Sequence, residues 1–143
     1  MIVNASYYIA KLTKKSWHKG MPISIAIEPT TACNLGCPEC PSGLKQFTRP
    51  EGNLKIDFLK KLIDEQKNTL SYLTFYFQGE PYINPQFLEM VEYASKNNIY
   101  TSTSTNAHFI TPSVARKTIE SGLKRLIISI DGTSQEEIGR AHV

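Results

Sequence analysis

TACNLGCPECPSG (residues 31–43) contains all three cysteines of the chain, Cys33, Cys37 and Cys40. The three thiols thus fall within eight residues. Free cysteines normally scatter through protein cores as small apolar side chains, so such a cluster indicates metal binding or redox chemistry.

The composition is that of an ordinary globular protein. Of the 143 residues, 41% are hydrophobic and 20% are charged, which fits one domain or part of one and excludes a disordered or fibrous chain. The net charge of +3 comes from 16 basic and 13 acidic residues spread along the sequence. It therefore does not predict nucleic-acid binding.

The sequence also predicts a cytoplasmic location without membrane contact. The N-terminus lacks the features of a secretory signal peptide, and no stretch approaches the roughly 20 apolar residues that span a membrane. Thiols stay reduced in the cytoplasm, so we expect the cysteines to bind metal or do redox chemistry and not to form disulfides.

Hydrophobic periodicity and turn residues predict strands and helices that alternate after residue 22. The predicted strands are residues 23–29, 72–77, 99–105 and 125–132, and the predicted helices are residues 56–69, 84–98 and 111–122. Strands joined through single helices are nearly always parallel, with right-handed connections. The sequence therefore predicts an α/β fold with a parallel sheet.

Four features within these elements carry further predictions. Asn84 and Thr111 are expected to cap the second and third of these helices. Phe58 falls on the apolar face of the first helix, and Phe77 is expected to pack in the core. The fourth strand is an apolar run without alternation, which is typical of a strand with both faces buried.

A polar or unusual segment accompanies the end of each predicted strand. The cysteine segment follows the first strand, QGEP (residues 78–81) the second and TNAH (residues 105–108) the third, and SIDG (residues 129–132) ends the fourth. The carboxyl ends of parallel strands lie at one edge, where the connecting loops build active sites. We therefore expect the four segments to meet on one face.

The number and spacing of the cysteines favour an iron-sulfur cluster over zinc. A 4Fe-4S cluster normally binds four cysteines, so three leave one iron open to another ligand. A structural zinc site would be closed by four protein ligands. The CxxxCxxC spacing can wrap three thiolates around one cluster, with Gly36 permitting the tight bend. Two alternatives remain: a zinc site with His108 as fourth ligand, and a cysteine cluster without chemistry.

The chain resembles the radical S-adenosylmethionine (radical SAM) enzymes over roughly residues 22–132. The resemblance rests on CNLGCPEC at the end of the first strand, with QGEP, TNA and SIDG at later strand ends. The longer segment EPTTACNLGCPECPSG is most similar to the branch that often carries an additional C-terminal cluster-binding domain called SPASM.

The resemblance implies a partial (βα) TIM-like barrel of six strands, truncated in this chain after about four. The fourth strand would then be a poorly covered edge. We expect residues 1–22 to be an N-terminal extension and residues 23–137 to be the partial radical SAM domain. The last residues, IGRAHV (residues 138–143), match one translation of a sequencing adapter and are expected to be a non-native tail.

The resemblance also implies cofactors and a reaction. Cys33, Cys37 and Cys40 would hold a 4Fe-4S cluster, and S-adenosylmethionine would bind the open iron through its amino and carboxylate groups. One electron would cleave the sulfonium to methionine and a 5'-deoxyadenosyl radical, which abstracts hydrogen from a substrate. A peptide or protein is a candidate substrate, and flavodoxin and ferredoxin are candidate electron donors. The alternative function is that of a non-catalytic metal-binding fragment.

The same resemblance implies roles for residues at the later strand ends. Gly79 and Glu80 would approach the methionyl amino group, since a carboxylate suits an ammonium. Thr105 and Asn106 would form a polar strand end that faces the cofactor or the substrate. Ser129 and Asp131 could reach the ribose hydroxyls or the carboxylate of S-adenosylmethionine.

Three positions depart from the usual pattern of the family. Glu39 stands where many members have an aromatic residue near the adenine, although its backbone can still bind adenine. Gln78 replaces the first glycine of the usual GGE segment, and Ala107 replaces a glycine. A Cβ atom is expected to be tolerated at both of these positions.

Overall fold

The computed structural model describes residues 2–130, 132–134 and 136–137. Helices and strands alternate in the order α1 (Ile2–Thr13), β1 (Ser24–Ala26), α2 (Ile56–Gln66), β2 (Tyr72–Thr74), α3 (Phe87–Lys96), β3 (Tyr100–Thr105), α4 (Pro112–Glu120) and β4 (Arg125–Ile128). All the predicted strands and helices after residue 22 are present, although each is shorter than predicted. The expected non-native tail lies outside the described residues.

The four strands form one parallel sheet in the order β1-β2-β3-β4. Leu73 of β2 pairs with Ile25 of β1 and with Thr101 of β3, and Thr103 of β3 pairs with Leu126 of β4. A helix lies in each connection between successive strands. The predicted α/β fold is thus confirmed, and the carboxyl ends of the strands share one edge of the sheet.

Helices α2 and α3 pack against each other and cover one face of the sheet, where the core lies. Leu59 and Ile63, one turn apart on α2, are fully buried, and so are Phe87 and Met90 on α3. Phe58 is 59% exposed, so its predicted place on the buried face is wrong. Adjacent helical residues point about 100° apart, and Leu59 takes the inward direction. None of the described helices is long and apolar enough to cross a membrane.

Strand β4 is an edge with little cover among the described residues. It pairs with β3 along one side, and its residues Leu126 and Ile128 are 37% and 46% exposed. The prediction that both faces of this strand are buried is therefore wrong for the described structure. The expectation of a poorly covered fourth strand, which follows from a sheet of four strands, is confirmed.

One of the two predicted helix caps is confirmed and the other is wrong. The Thr111 hydroxyl oxygen accepts a hydrogen bond from the Val114 N–H at 3.3 Å, as expected of an N-cap. Helix α3 begins only at Phe87, with Gln86 in the cap position, because a 3₁₀ turn over Pro81–Ile83 comes before it.

Asn84 instead joins three segments of the chain through its buried carboxamide. Its Nδ2 donates to the backbone oxygens of Pro29 at 2.7 Å and Leu54 at 2.9 Å, and its Oδ1 accepts from the Gln86 N–H at 2.9 Å. Buried carbonyl groups need such partners because they have lost water. Asn84 therefore fixes both ends of the cysteine-containing loop relative to α3.

We expect Asn84→Ala to lower the free energy of unfolding by about 3 kcal/mol, since it removes three hydrogen bonds and leaves buried carbonyls without this donor. Urea unfolding followed by circular dichroism measures the change. The control is Asn53→Ala at an exposed position of the same loop, which should change stability by less than about 0.5 kcal/mol. Equal effects of the two substitutions would contradict the assigned role of Asn84.

Candidate metal and cofactor site

The cysteines lie in the long loop between β1 and α2, which folds back on itself through short turns. The Cys40 N–H donates to the Cys37 oxygen at 3.2 Å, and the Leu44 N–H donates to the Cys40 oxygen at 2.9 Å. A Cβ atom at Gly43 would lie 2.5 Å from both the nitrogen and the oxygen of Cys37. Gly36, the predicted bend residue, is not among the described glycines with positive φ. Gly43 therefore has no room for a side chain in this loop.

Two of the three cysteines line a common cavity. Cys33 and Cys37 border a cavity of about 330 Å³ at the carboxyl ends of the strands, whereas the Cys40 thiol donates to Gln78 Oε1 at 3.5 Å. All three are partly buried and none is in a disulfide. The predicted convergence is confirmed for the described residues, because segments after β1, β2, β3 and β4 all contribute to this cavity.

The donor set fits a cluster that binds three thiolates. In the part of the chain that the structure describes, no three His, Cys, Asp or Glu side chains are already arranged to hold a metal ion. Neutral thiols attract one another weakly, and it is bond formation to metal that deprotonates and gathers them. All three cysteines lie in one loop and two of them line one cavity, so this loop could gather the three thiolates around a cluster.

Glu80 is a buried carboxylate at the base of this cavity, with 2% of its surface exposed. Its Oε1 accepts from the Thr105 hydroxyl at 2.7 Å and from the Tyr82 N–H at 3.3 Å. Its Oε2 accepts from the Asn106 N–H at 2.9 Å. No described lysine, arginine or histidine forms an ion pair with it. Neutral donors thus occupy three of about four acceptor positions of this carboxylate.

Gly79 brings the QGEP segment against the cysteine loop. It has a φ of +79°, and a Cβ atom there would collide with the carbonyl oxygens of Thr30 and Ala32. The Gly79 N–H donates to Ser42 Oγ at 3.2 Å, and the Glu80 N–H donates to the Ala32 oxygen at 2.8 Å. The segment is therefore bonded to the loop both before and after the cysteines.

Asn34, which the sequence does not single out, joins the cysteine loop to the segment after β3. Its Oδ1 accepts from Asn106 Nδ2 at 2.9 Å, and its Nδ2 lies 3.0 Å from His108 Nδ1. Asparagine in a loop is too common for the sequence to have revealed this contact. His108 therefore contacts the cysteine loop through Asn34.

The remaining predicted cofactor residues differ in their positions. Thr105 is buried, and its hydroxyl is directed to Glu80, so it holds the carboxylate. Ser129 lines the cavity, with its hydroxyl 3.3 Å from that of Ser104. Asp131 lies outside the described residues. Ala107 has a φ of +65°, the left-handed region that favours glycine, which explains the glycine usual at this position.

Tyr82 connects the base of the site to the core. Burial raises the pKa of its phenol, a hydrogen bond with Thr118 lowers it, and the Glu80 carboxylate raises it. The phenol and the Thr118 hydroxyl are 3.0 Å apart, and the ring packs edge-on against Phe87. Tyr82 therefore stays neutral near pH 7 and supports Glu80 through its backbone N–H.

Phe77 separates this cavity from a larger one of about 790 Å³ next to β1. Its side chain is 76% exposed, so its predicted place in the core is wrong. Strand β2 ends at Thr74, and Phe77 lies beyond the sheet. On the wall of the larger cavity, Glu28 and Arg49 form an ion pair at 2.7 Å, and the Arg49 guanidinium stacks over Phe47.

Comparison with protein-family models matches residues 27–143 to the Radical SAM superfamily. The chain belongs to this superfamily. Curated relatives include the AdoMet-dependent heme synthase of Methanosarcina barkeri, 33% identical over 115 residues, and the mycofactocin maturase MftC of Mycobacterium tuberculosis, 35% identical over 115 residues. Each match covers 80% of this chain but only 33% and 29% of those proteins. The chain thus spans about a third of the length of these relatives.

Solved structures confirm the predicted partial (βα) barrel fold. SuiB of Streptococcus suis bound to S-adenosylmethionine matches with a TM-score of 0.70 and 21% identity, over 97% of this chain and 32% of that one. BtrN in complex with AdoMet and 2-DOIA matches with a TM-score of 0.68 and 19% identity, over 85% and 51%. The relatives fit the SPASM-type branch of the superfamily, whose cofactors are a 4Fe-4S cluster and S-adenosylmethionine, as the sequence predicts.

We expect Gly79→Ala to destabilise the protein by about 2 kcal/mol or more, because the new methyl group meets two backbone carbonyls at a positive φ. Thermal unfolding of the purified proteins measures the effect. Gly52→Ala is the matched control, since nothing lies within 4 Å of a Cβ atom at that position. If both variants are as stable as the wild type, Gly79 is not required for close packing of the QGEP segment against the cysteine loop.

Proposed function

We propose that the whole protein is an enzyme that holds a 4Fe-4S cluster on Cys33, Cys37 and Cys40 and binds S-adenosylmethionine beside it. The observation that supports this most is the shared cavity, which Cys33, Cys37, Glu80 and Asn106 line together. Thiols and a buried carboxylate at the carboxyl ends of successive parallel strands are what a cluster with an adjacent cationic ligand requires.

Glu80 would bind the amino group of the methionyl moiety. A buried carboxylate normally has a charged partner, and the described residues supply only neutral donors. An ammonium in the cavity would complete its hydrogen bonds and its charge pairing. Thr105 and the Asn106 N–H would keep both carboxylate oxygens oriented, and Gly79 would keep this group close to the cysteine loop.

The other polar groups of the cavity would contact the rest of the cofactor or the substrate. Ser129 lines its wall, and the Asn106 side chain is held by Asn34. We assign Ser129 and Asp131 to the ribose hydroxyls or the carboxylate of S-adenosylmethionine. When bound, the two cofactors supply a one-electron cleavage of the sulfonium to methionine and a 5'-deoxyadenosyl radical, which abstracts a hydrogen atom.

We further propose a peptide or protein as the substrate. The PqqA peptide cyclase of Bradyrhizobium diazoefficiens is 28% identical over 116 residues, and SuiB was solved with its precursor peptide SuiA. The electron would come from a small protein donor such as flavodoxin or ferredoxin. Such chemistry requires a reducing compartment, so we place the protein in the cytoplasm.

We expect Cys33→Ala, Cys37→Ala and Cys40→Ala each to remove most of the iron and sulfide from anaerobically reconstituted protein, because three thiolates are the minimum that anchors the cluster. Iron and sulfide analysis, with visible absorbance, measures the loss. His108→Ala should retain both elements. A colourless wild type with stoichiometric zinc that is lost in His108→Ala would favour the zinc alternative and overturn the proposal.

We expect Glu80→Gln to weaken S-adenosylmethionine binding by about 10- to 100-fold while iron and sulfide stay at the wild-type level, since a hydrogen bond to a charged group contributes about 1.5–3 kcal/mol. Calorimetry on the reconstituted protein gives the affinity. Glu65→Gln removes the same charge from an exposed position on α2 and should leave the affinity unchanged. An unaltered affinity in Glu80→Gln would remove Glu80 from the cofactor site.

A further inference from the structure

Gln78 joins the QGEP segment to the cysteine loop through a side-chain contact with Cys40. Its Oε1 accepts from the Cys40 thiol at 3.5 Å and from the Ser42 hydroxyl at 2.9 Å. Ser42 Oγ in turn accepts from the Gly79 N–H at 3.2 Å. A single carboxamide oxygen thus lies beside the third cysteine and is fixed there by a partner that the backbone holds.

Metal binding changes what this carboxamide must do. A thiol that binds iron gives up its proton to solvent, so Cys40 can then only accept a hydrogen bond. The oxygen of Gln78 would face a negatively charged sulfur, which is unfavourable. The carboxamide nitrogen has nearly the same size and carries two hydrogens, so half a turn about the last bond replaces a repulsive contact by a donor.

After that turn, both existing contacts can be satisfied at once. Nε2 would then take the place of Oε1, within reach of both Cys40 Sγ and Ser42 Oγ, with one hydrogen available for each. The Ser42 oxygen has two lone pairs, which accept from Gln78 and from the Gly79 N–H. Ser42 is partly exposed, so its own hydroxyl proton can turn to water.

We propose that Gln78 donates a hydrogen bond to the Cys40 sulfur in the cluster-bound protein and thereby raises the reduction potential of the cluster. The proposal rests on the assignment of Cys40 as a cluster ligand. An N–H bond to a thiolate stabilises the more negative, reduced form, and such bonds are among the groups that set cluster potentials.

The test compares Gln78→Met, which keeps the length of the side chain but has no N–H group, with Gln78→Glu, which places a carboxylate there. The whole protein is reconstituted anaerobically, its iron and sulfide are counted, and its midpoint potential is measured by redox titration followed by electron paramagnetic resonance (EPR). We expect the potential to fall in Gln78→Met and to fall further in Gln78→Glu. The control is Gln46→Glu, which adds the same charge at an exposed position of the same loop and should keep the wild-type potential.

A second measurement needs only the wild type and holds even if a variant does not load its cluster. With glutamine labelled by ¹⁵N in the side-chain amide, pulsed EPR of the reduced cluster should show a ¹⁵N coupling. A loaded wild type without this coupling, or a Gln78→Met protein with an equal or higher potential, overturns the role of Gln78. A wild type that binds no iron and sulfide instead overturns the cluster assignment itself.

Discussion

The site depends on one buried carboxylate. Removing Glu80 from water is unfavourable unless hydrogen bonds replace its hydration, and the chain supplies them from Thr105, the Asn106 N–H and the Tyr82 N–H. The first two donors come from the end of β3, so the carboxylate fixes the segments after β2 and β3 relative to each other. Its own backbone N–H, bonded to Ala32, extends the same constraint to the cysteine loop.

Close approach of backbones makes this arrangement sterically feasible. Gly79 lies against the carbonyls of Thr30 and Ala32, and Gly43 lies against the backbone of Cys37. Neither position has room for a Cβ atom, so these glycines are required by packing. Asn84 acts from the opposite side, where its carboxamide holds Pro29 before the loop and Leu54 after it. The cysteine loop is therefore held at both ends and in its middle without a helix or strand of its own.

The same contacts explain how a site for charged cofactors can be ready before they bind. In the proposed function, donors already orient the carboxylate before a cation binds, so little rearrangement would be needed around Glu80. The cysteines differ, because their thiols must lose protons and converge when metal binds. Rigid contacts thus surround the carboxylate, while adjustable groups, the Gln78 carboxamide and the Ser42 hydroxyl, lie beside Cys40.

The sequence by itself determined the order of strands and helices, the parallel sheet and the convergence of Cys33, Cys37 and Glu80, because these follow from periodicity, turn residues and the geometry of parallel connections. Only the tertiary structure decided that Asn84 joins segments and caps no long helix, that Gly43 has no room for a Cβ atom, and that Phe58 and Phe77 are exposed. It also decided that the Thr105 hydroxyl donates a hydrogen bond to Glu80 and that Gln78 accepts one from the Cys40 thiol. The hydrogen bonds of Thr105, Gln78 and Asn84 among these join residues 25 to 55 positions apart, which no local pattern records. The exposure of Phe77 depends on where β2 stops.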